Sequence, residues 1–428
     1  MILSLPFKLQ AFQLQPFSFS LLAYNQNLNT ILSGVFYDTR FNQPLNNWDT
    51  GNVTDMIQVF ALNTAFNQDI GNWDTKNVTN MRLMFWTANA FNQNIDNWNT
   101  SNVTDMYQMF CNAISFNKPL NSWNTRNVVV FHGMFSGASV FNHELHNWDT
   151  ANANTMQSMF KETNHFNQNI NNWDVSKVTN MQSMFYMASG YNQPLNNWNT
   201  GNVTNMAQMF GRATVFNQPL NNWNTSKVTS MTNMFRLASG LTGVFNQDIS
   251  SWDTGNVTDM FYMFAYNPVF NQPLNSWNIS SVTNADSMFR QCLAFNQPLN
   301  NWNTSNITNM STMFNLASKF NQPLNSWNTG NVTNMEFMFQ SATAFNQNIS
   351  NWDVRKVINF SNFMAVKTSS NYSKENYNAL LNAWSNQDVS PGKTIHFGSI
   401  KYTSAAQNAR NTLTSLKGWT IQDGGLTI

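Results

Sequence analysis

The chain has 428 residues, a formal net charge of +1, 10% charged residues and 14% aromatic ones. That balance excludes the basic field that nucleic acid or an anionic membrane surface requires. It also excludes a bilayer span, because no apolar run of about 18 residues is present.

The first 23 residues, "MILSLPFKLQAFQLQPFSFSLLA", are apolar but broken by Lys8, Gln and Pro. Leu3, Leu5, Phe7 and Leu9 alternate, as do Phe17, Phe19 and Leu21. Period-two alternation predicts strands, so this stretch reads as part of a cap rather than an export signal. A degenerate repeat begins at Tyr24, and residues 1–40 together form the expected N-terminal cap.

Thirteen repeats follow over 41–370. Their first residues run from Phe41 to Phe345, at steps of 25 residues except for 29 between Phe216 and Phe245. Position 8 is Trp and position 2 is Asn in all thirteen, and position 20 is Phe in twelve. In the second unit Val78, Met81, Phe85 and Ala88 occupy positions 13, 16, 20 and 23, which is helical spacing. Pro at position 4 (Pro44, Pro119, Pro194, Pro219) and the Asn, Asp, Thr and Gly of positions 6–12 disfavour helix. Each unit is therefore expected to form a short parallel strand near positions 1–8, a turn, and a short helix over 13–22 capped by Thr at position 10 or Asn at position 12. One unit cannot bury enough surface to order itself, so stability must come from stacking. The invariant Asn is expected to stack amide on amide from coil to coil. Cys111 and Cys292 lie seven repeats apart, on the order of 35 Å at strand spacing, too far for a disulfide.

Residues 371–428 read as an α/β C-terminal cap. "SKENYNALLNAWSNQ" predicts a helix with Ser373 as N-cap and Tyr377, Leu380, Leu381 and Trp384 on one face. "KTIHFGSIKYT" alternates like a strand, "SAAQNARNTLTSLKG" is a second helix closed by Gly418, and "WTIQ" is a last strand.

Chemistry is sparse. His143, Glu144 and His146 form "HELH", with His165 nearby, but strand residues three apart point to opposite faces. His132 stands alone. Asp recurs at position 9 (Asp49, Asp74, Asp149, Asp174, Asp253, Asp353), yet Asn takes its place elsewhere, which favours a turn role over a calcium row. Asn-x-Thr triplets at Asn52, Asn77, Asn102 and Asn202 would crowd glycans onto adjacent coils, so a structural role is expected for them too. No catalytic set, cofactor site or metal site is predicted. The candidate binding residues are large aromatics at the variable positions: Trp86, Tyr107, Tyr186, Phe261, Tyr262, Tyr266 and Phe337. Phe261, Tyr262 and Tyr266 share one unit and suggest a patch.

The units "FNQPLNNWDTGNVTDM" and "FNQPLNNWNTGNVTNMAQMF" resemble the BspA-like leucine-rich-repeat surface proteins, in an Asn-rich 25-residue variant. The end segments "NYSKENYNALLNAW", "IKYTSAAQNARNTL" and "GWTIQDGG" resemble that family's terminus. The resemblance implies an α/β repeat solenoid of leucine-rich-repeat type with a parallel sheet along one face. It also implies a non-catalytic adhesion or binding module at the cell surface or outside the cell. The expected partner is a surface protein or glycan, and self-assembly is the alternative.

Overall fold

The computed structural model describes residues 30–427. The strand-like alternation expected before residue 24 lies outside the described residues.

Each repeat is one coil, laid parallel on the next. A chain of parallel bridges joins position 15 of every coil to its neighbour, from Asp55–Asn80 through Asn334–Asn359. The expected helix over positions 13–22 does not form. In the coil that starts at Phe66, Met81, Leu83, Phe85 and Thr87 donate their N–H groups to the carbonyls of Asp105, Tyr107, Met109 and Cys111 in the following coil, at 2.7–3.1 Å. A helix would send those donors four residues back along its own chain. Within the coil, Met84 N–H bonds Met81 O, Trp86 bonds Leu83 O, and Ala88 bonds Phe85 O, so the segment is a run of overlapping four-residue turns.

Positions 18 and 22 hold the turns open with left-handed backbone. Leu83 and Thr87 both have φ of 58°, and nearly every coil repeats the pair. These are the third positions of type II turns, which normally select Gly. Only the coil starting at Phe116 uses glycine at both, Gly133 and Gly137. The exception is the coil starting at Phe216, where Leu237 at position 22 is buried and the four extra residues follow. The turn ribbon sends positions 16, 19, 20 and 23 inward and 17, 18, 21 and 22 outward. That alternation is what gave the sequence its helical spacing.

The expected strand at positions 1–8 is also absent. Turns from position 5 to 8 and from 10 to 13 fill the rest of the coil, as in Trp73 N–H to Ile70 O and Val78 N–H to Thr75 O. Side chains then supply the bonds between coils. The Trp indole N–H donates to the position-5 carbonyl of the preceding coil at 2.8–3.1 Å, from Trp73 to Trp352. Neither Thr at position 10 nor Asn at position 12 caps a helix. Thr100 Oγ1 donates to Asn124 O of the next coil, and Asn102 Nδ2 donates to Lys76 O of the previous one. Asn at position 2 forms a column at the coil edge, half-buried in most coils and exposed at Asn42, Asn142 and Asn167, so it is not the enclosed amide stack expected. Its Oδ1 accepts the next coil's position-2 N–H, as in Asn217 to Asn192 at 2.9 Å.

Three aromatic columns run through the core. The Trp rings stack 6.2–6.5 Å apart and within 7° of parallel. The position-20 Phe rings stack at spacings such as 5.4 Å for Phe85–Phe110, and each also meets the position-1 ring, as in Phe60–Phe66 at 3.8 Å. Cys111 and Cys292 are buried and free; Cys292, at position 23, packs in this core, whereas Cys111, at position 21, lies on the outward side of the ribbon.

The C-terminal segment sits on the last coil. Helix α1 (Lys374–Ser385) starts at Ser373, whose side chain accepts the Asn376 N–H, and it buries Tyr377, Leu380, Leu381 and Trp384. Strand β1 (Thr394–His396) pairs in parallel with β2 (Thr420–Gln422), and Ile395 bridges to Phe360 of the last coil. Between the strands lie a short 3₁₀ turn (Ser404–Ala406), α2 (Gln407–Asn411) and one wide turn (Thr412–Leu416), ended by Gly418 at φ 64°. Phe363 stands edge-on to Phe339 at 83°, which ends the parallel aromatic stacking. Ser373 N–H and Asn376 Nδ2 close the Asn column on Asn346 Oδ1. Gly398 fits because a Cβ there would lie 2.1 Å from Lys367 O.

Candidate interaction surface

Every candidate aromatic lies on the outward side of the turn ribbon and is half-buried. Tyr107 and Phe261 stand at position 17, Tyr262 and Phe337 at 18, Trp86 and Tyr186 at 21, and Tyr266 at 22. The structure brings three of them together. Phe261 meets Tyr262 edge-on at 4.3 Å, and Tyr262 stacks on Tyr266 at 6.4 Å. Phe337, three coils on, faces the same groove as Phe261 and Tyr262. Trp86, Tyr107 and Tyr186 lie in other coils and do not join this cluster.

Sequence reading missed the cations. Arg82 lies 3.8 Å from the centre of the Tyr107 ring, with His132 stacked on the same ring at 4.8 Å. Arg236 lies 4.8 Å from the Tyr262 ring, and Arg290 lies 5.2 Å from Tyr266. Arg212 and Lys161 flank Tyr186 at 5.9 Å. A guanidinium over an aromatic face contributes about 0.5–1 kcal/mol at such exposed sites and fixes both side chains. The signal was present in the sequence as a cation about one repeat length from each tyrosine. Half-burial, and secondarily the Arg82 charge, hold the His132 imidazole below its usual range.

The groove bounded by Tyr262 and Phe337 has a volume of about 450 Å³. Its floor is Ser287, Ser311 and Thr312, the small residues of the two intervening coils. Asp286, Glu336 and Arg290 bring charge to it. Arg290 Nη1 donates to Tyr262 Oη at 3.1 Å, and Glu336 Oε2 accepts Asn359 Nδ2 at 2.9 Å.

The other polar motifs have structural employment. His143 stands at the Gln position and, like Gln168, meets the preceding coil's position-2 carbonyl, here Asn117 O at 3.2 Å. Glu144 and His146 are exposed and 3.4 Å apart, and His165 Nδ1 meets Ser139 O. Among the described residues no group of three His, Cys, Asp or Glu side chains converges as a metal site. Position-9 carboxylates accept the N–H two residues on, as Asp149 does from Ala151, and Asn does the same, as Asn99 does from Ser101. At Asp74 the Lys76 ammonium and N–H hold the carboxyl below its usual range.

The model of one protein family, described as "Mycoplasma protein of unknown function, DUF285", matches residues 10–118, 90–189, 166–244, 240–315 and 279–384. No curated protein matches the chain. Among the described residues no helix is long and apolar enough to cross a membrane. The matches support a tandem-repeat protein without singling out the BspA-like leucine-rich type. Because they succeed one another over most of the chain, as the stacked coils do, the chain belongs to the DUF285 family of Mycoplasma proteins of unknown function.

Proposed function

We propose that the chain is a non-catalytic repeat scaffold that binds protein or glycan through the outward side of its turn ribbon. The observation that carries this reading is the set of half-buried tyrosines held by cations: Tyr107 under Arg82, Tyr186 beside Arg212, and Tyr262 and Tyr266 beside Arg236 and Arg290. Rigid aromatic anchors with arginine neighbours are the composition of binding hot spots. The backbone bonds of the ribbon run between coils, so the platform is fixed before any partner arrives. The resemblance to BspA-like surface proteins supports display at the cell surface or outside the cell.

The test is binding of the intact chain to immobilised extracellular-matrix proteins and to a glycan array. Tyr262→Ala and Trp86→Ala should each weaken binding, and the pair should weaken it further. Full retention in the double variant would refute the reading. Concentration-dependent polymers in light scattering, with the same substitutions abolishing them, would instead favour self-assembly.

A further inference from the structure

The groove between Tyr262 and Phe337 has a construction that narrows its ligand. At position 18 the four successive coils carry Tyr262, Ser287, Thr312 and Phe337, and at position 17 they carry Phe261, Asp286, Ser311 and Glu336. Large residues wall a slot two coils wide whose floor is hydroxylated. The walls stand three coil steps apart, about 14 Å at the spacing of paired strands. That length seats two sugar rings end to end, and about 450 Å³ falls within the range of small-molecule sites.

We propose that this slot binds a short neutral oligosaccharide; the inference rests on the scaffold reading above and names its ligand class. The aromatic walls offer apolar contact for the C–H surfaces of sugar rings, and the half-buried Thr312, Gln340 and Glu336 offer hydroxyl, amide and carboxylate groups for sugar hydroxyls. Glu336 is anchored through Oε2 by Asn359, which leaves Oε1 to accept from a ligand. Ser287 and Ser311 are buried beneath the slot, at 1% and 6% exposure, and Ser287 Oγ donates to Asp286 Oδ1 at 2.6 Å, so they shape the floor by packing and leave Thr312 as its accessible hydroxyl. Two carboxylates against one guanidinium disfavour an acidic sugar. An extended peptide added as a strand is disfavoured too. Tyr262, Phe264, Ser287, Phe289, Thr312 and Phe314 already donate their N–H groups to the next coil, so the floor has no open edge to pair.

The test uses the full chain with maltose, lactose and chitobiose as probes, followed by saturation-transfer NMR and calorimetry. At least one disaccharide is expected to bind, and Thr312→Tyr should weaken it at least tenfold by filling the slot. Tyrosine is tolerated at this backbone setting, since Tyr262 holds it at φ 57° against 59° for Thr312. Glu336→Gln should weaken binding severalfold with an unchanged unfolding midpoint. Absence of binding by all three probes, equal binding by Thr312→Tyr, or preference for sialyllactose would each overturn the proposal. Binding of pentalysine in place of the saccharides would also overturn it and assign the carboxylates to a basic peptide. If the saccharides fail while matrix binding persists and remains sensitive to Trp86→Ala, only this inference falls. If matrix binding is also absent, the scaffold reading falls with it.

Discussion

Trp198→Phe tests what joins one coil to the next. Trp198 is 2% exposed, lies 6.3 Å from Trp223 at 3° from parallel, and donates its indole N–H to Ile170 O at 3.0 Å. Ile170 O also accepts the Trp173 N–H at 3.1 Å, so the substitution leaves that carbonyl with one partner. The lost bond should cost about 1 kcal/mol. The smaller ring leaves a void worth about 1–2 kcal/mol. The sum is about 2–3 kcal/mol, against about 4–6 kcal/mol for Trp198→Ala, which removes nearly the whole side chain. Urea unfolding with hydrogen exchange of the neighbouring coils reads both the size and the place of the loss. The column also predicts coupling. Trp198→Phe with Trp223→Phe should depart from additivity by about 0.5 kcal/mol or more, whereas Trp98→Phe with Trp302→Phe should add within about 0.3–0.5 kcal/mol. A loss below about 0.5 kcal/mol for Trp198→Phe, or equal coupling in near and distant pairs, would refute the claim that the indole column joins adjacent coils.

Three further outcomes follow from single sites. Lys367 is 2% exposed at position 23 of the last coil, and Nζ donates to Phe345 O at 2.6 Å, where Asn63 makes the matching bond to Phe41 O. Burial lowers its pKa to about 7, so the folded state holds this proton less tightly than the unfolded chain, where lysine titrates near about 10.4. Stability contributed by the neutral amine is full above about 10.4 and is lost as pH falls to about 7. Denaturation midpoints should therefore rise from pH 7 to 9.5, and Lys367→Met should flatten that rise; an unchanged slope would remove Lys367 as its source. Val366 is β-branched, 62% exposed and held at φ 77°, so Val366→Gly should stabilise by about 0.5–1 kcal/mol, read as a higher melting temperature. Asp423, 2% exposed in its side chain, accepts Arg410 Nε at 2.8 Å and Tyr377 Oη at 2.7 Å; Asp423→Asn should destabilise the C-terminal segment by about 3 kcal/mol, seen as faster exchange of β2 amides with the distant coils unchanged.

The aromatic cluster shows how much of a surface a linear reading can find. Phe261, Tyr262 and Tyr266 were legible because they share one unit. Arg236 and Arg290 were not, because each belongs to a neighbouring coil and becomes adjacent only when coils stack in register. The slot is likewise a difference between four successive coils at the same two positions, visible only once those positions are known to be columns. His143 is the converse case. As part of "HELH" it resembled a metal motif, yet its register makes it a substitute for Gln.

The amino-acid order alone dictates the period, the inward residues and the dependence of each unit on its neighbours, because burial of Trp, Phe, Val and Met repeats with the chain. It could not determine the backbone that delivers those residues inward. Steps of three and four residues bring side chains to one side in an α-helix and equally in overlapping four-residue turns. What separates the two is the destination of the N–H groups and the sign of φ at positions 18 and 22. Apart from Gly133 and Gly137 and the asparagines at 112, 233 and 362, those positions carry residues such as Gln, Ser, Leu, Thr and Tyr, which give no local warning of left-handed backbone. The bonds from each coil to the next stabilise that conformation, and they exist only in the assembled stack.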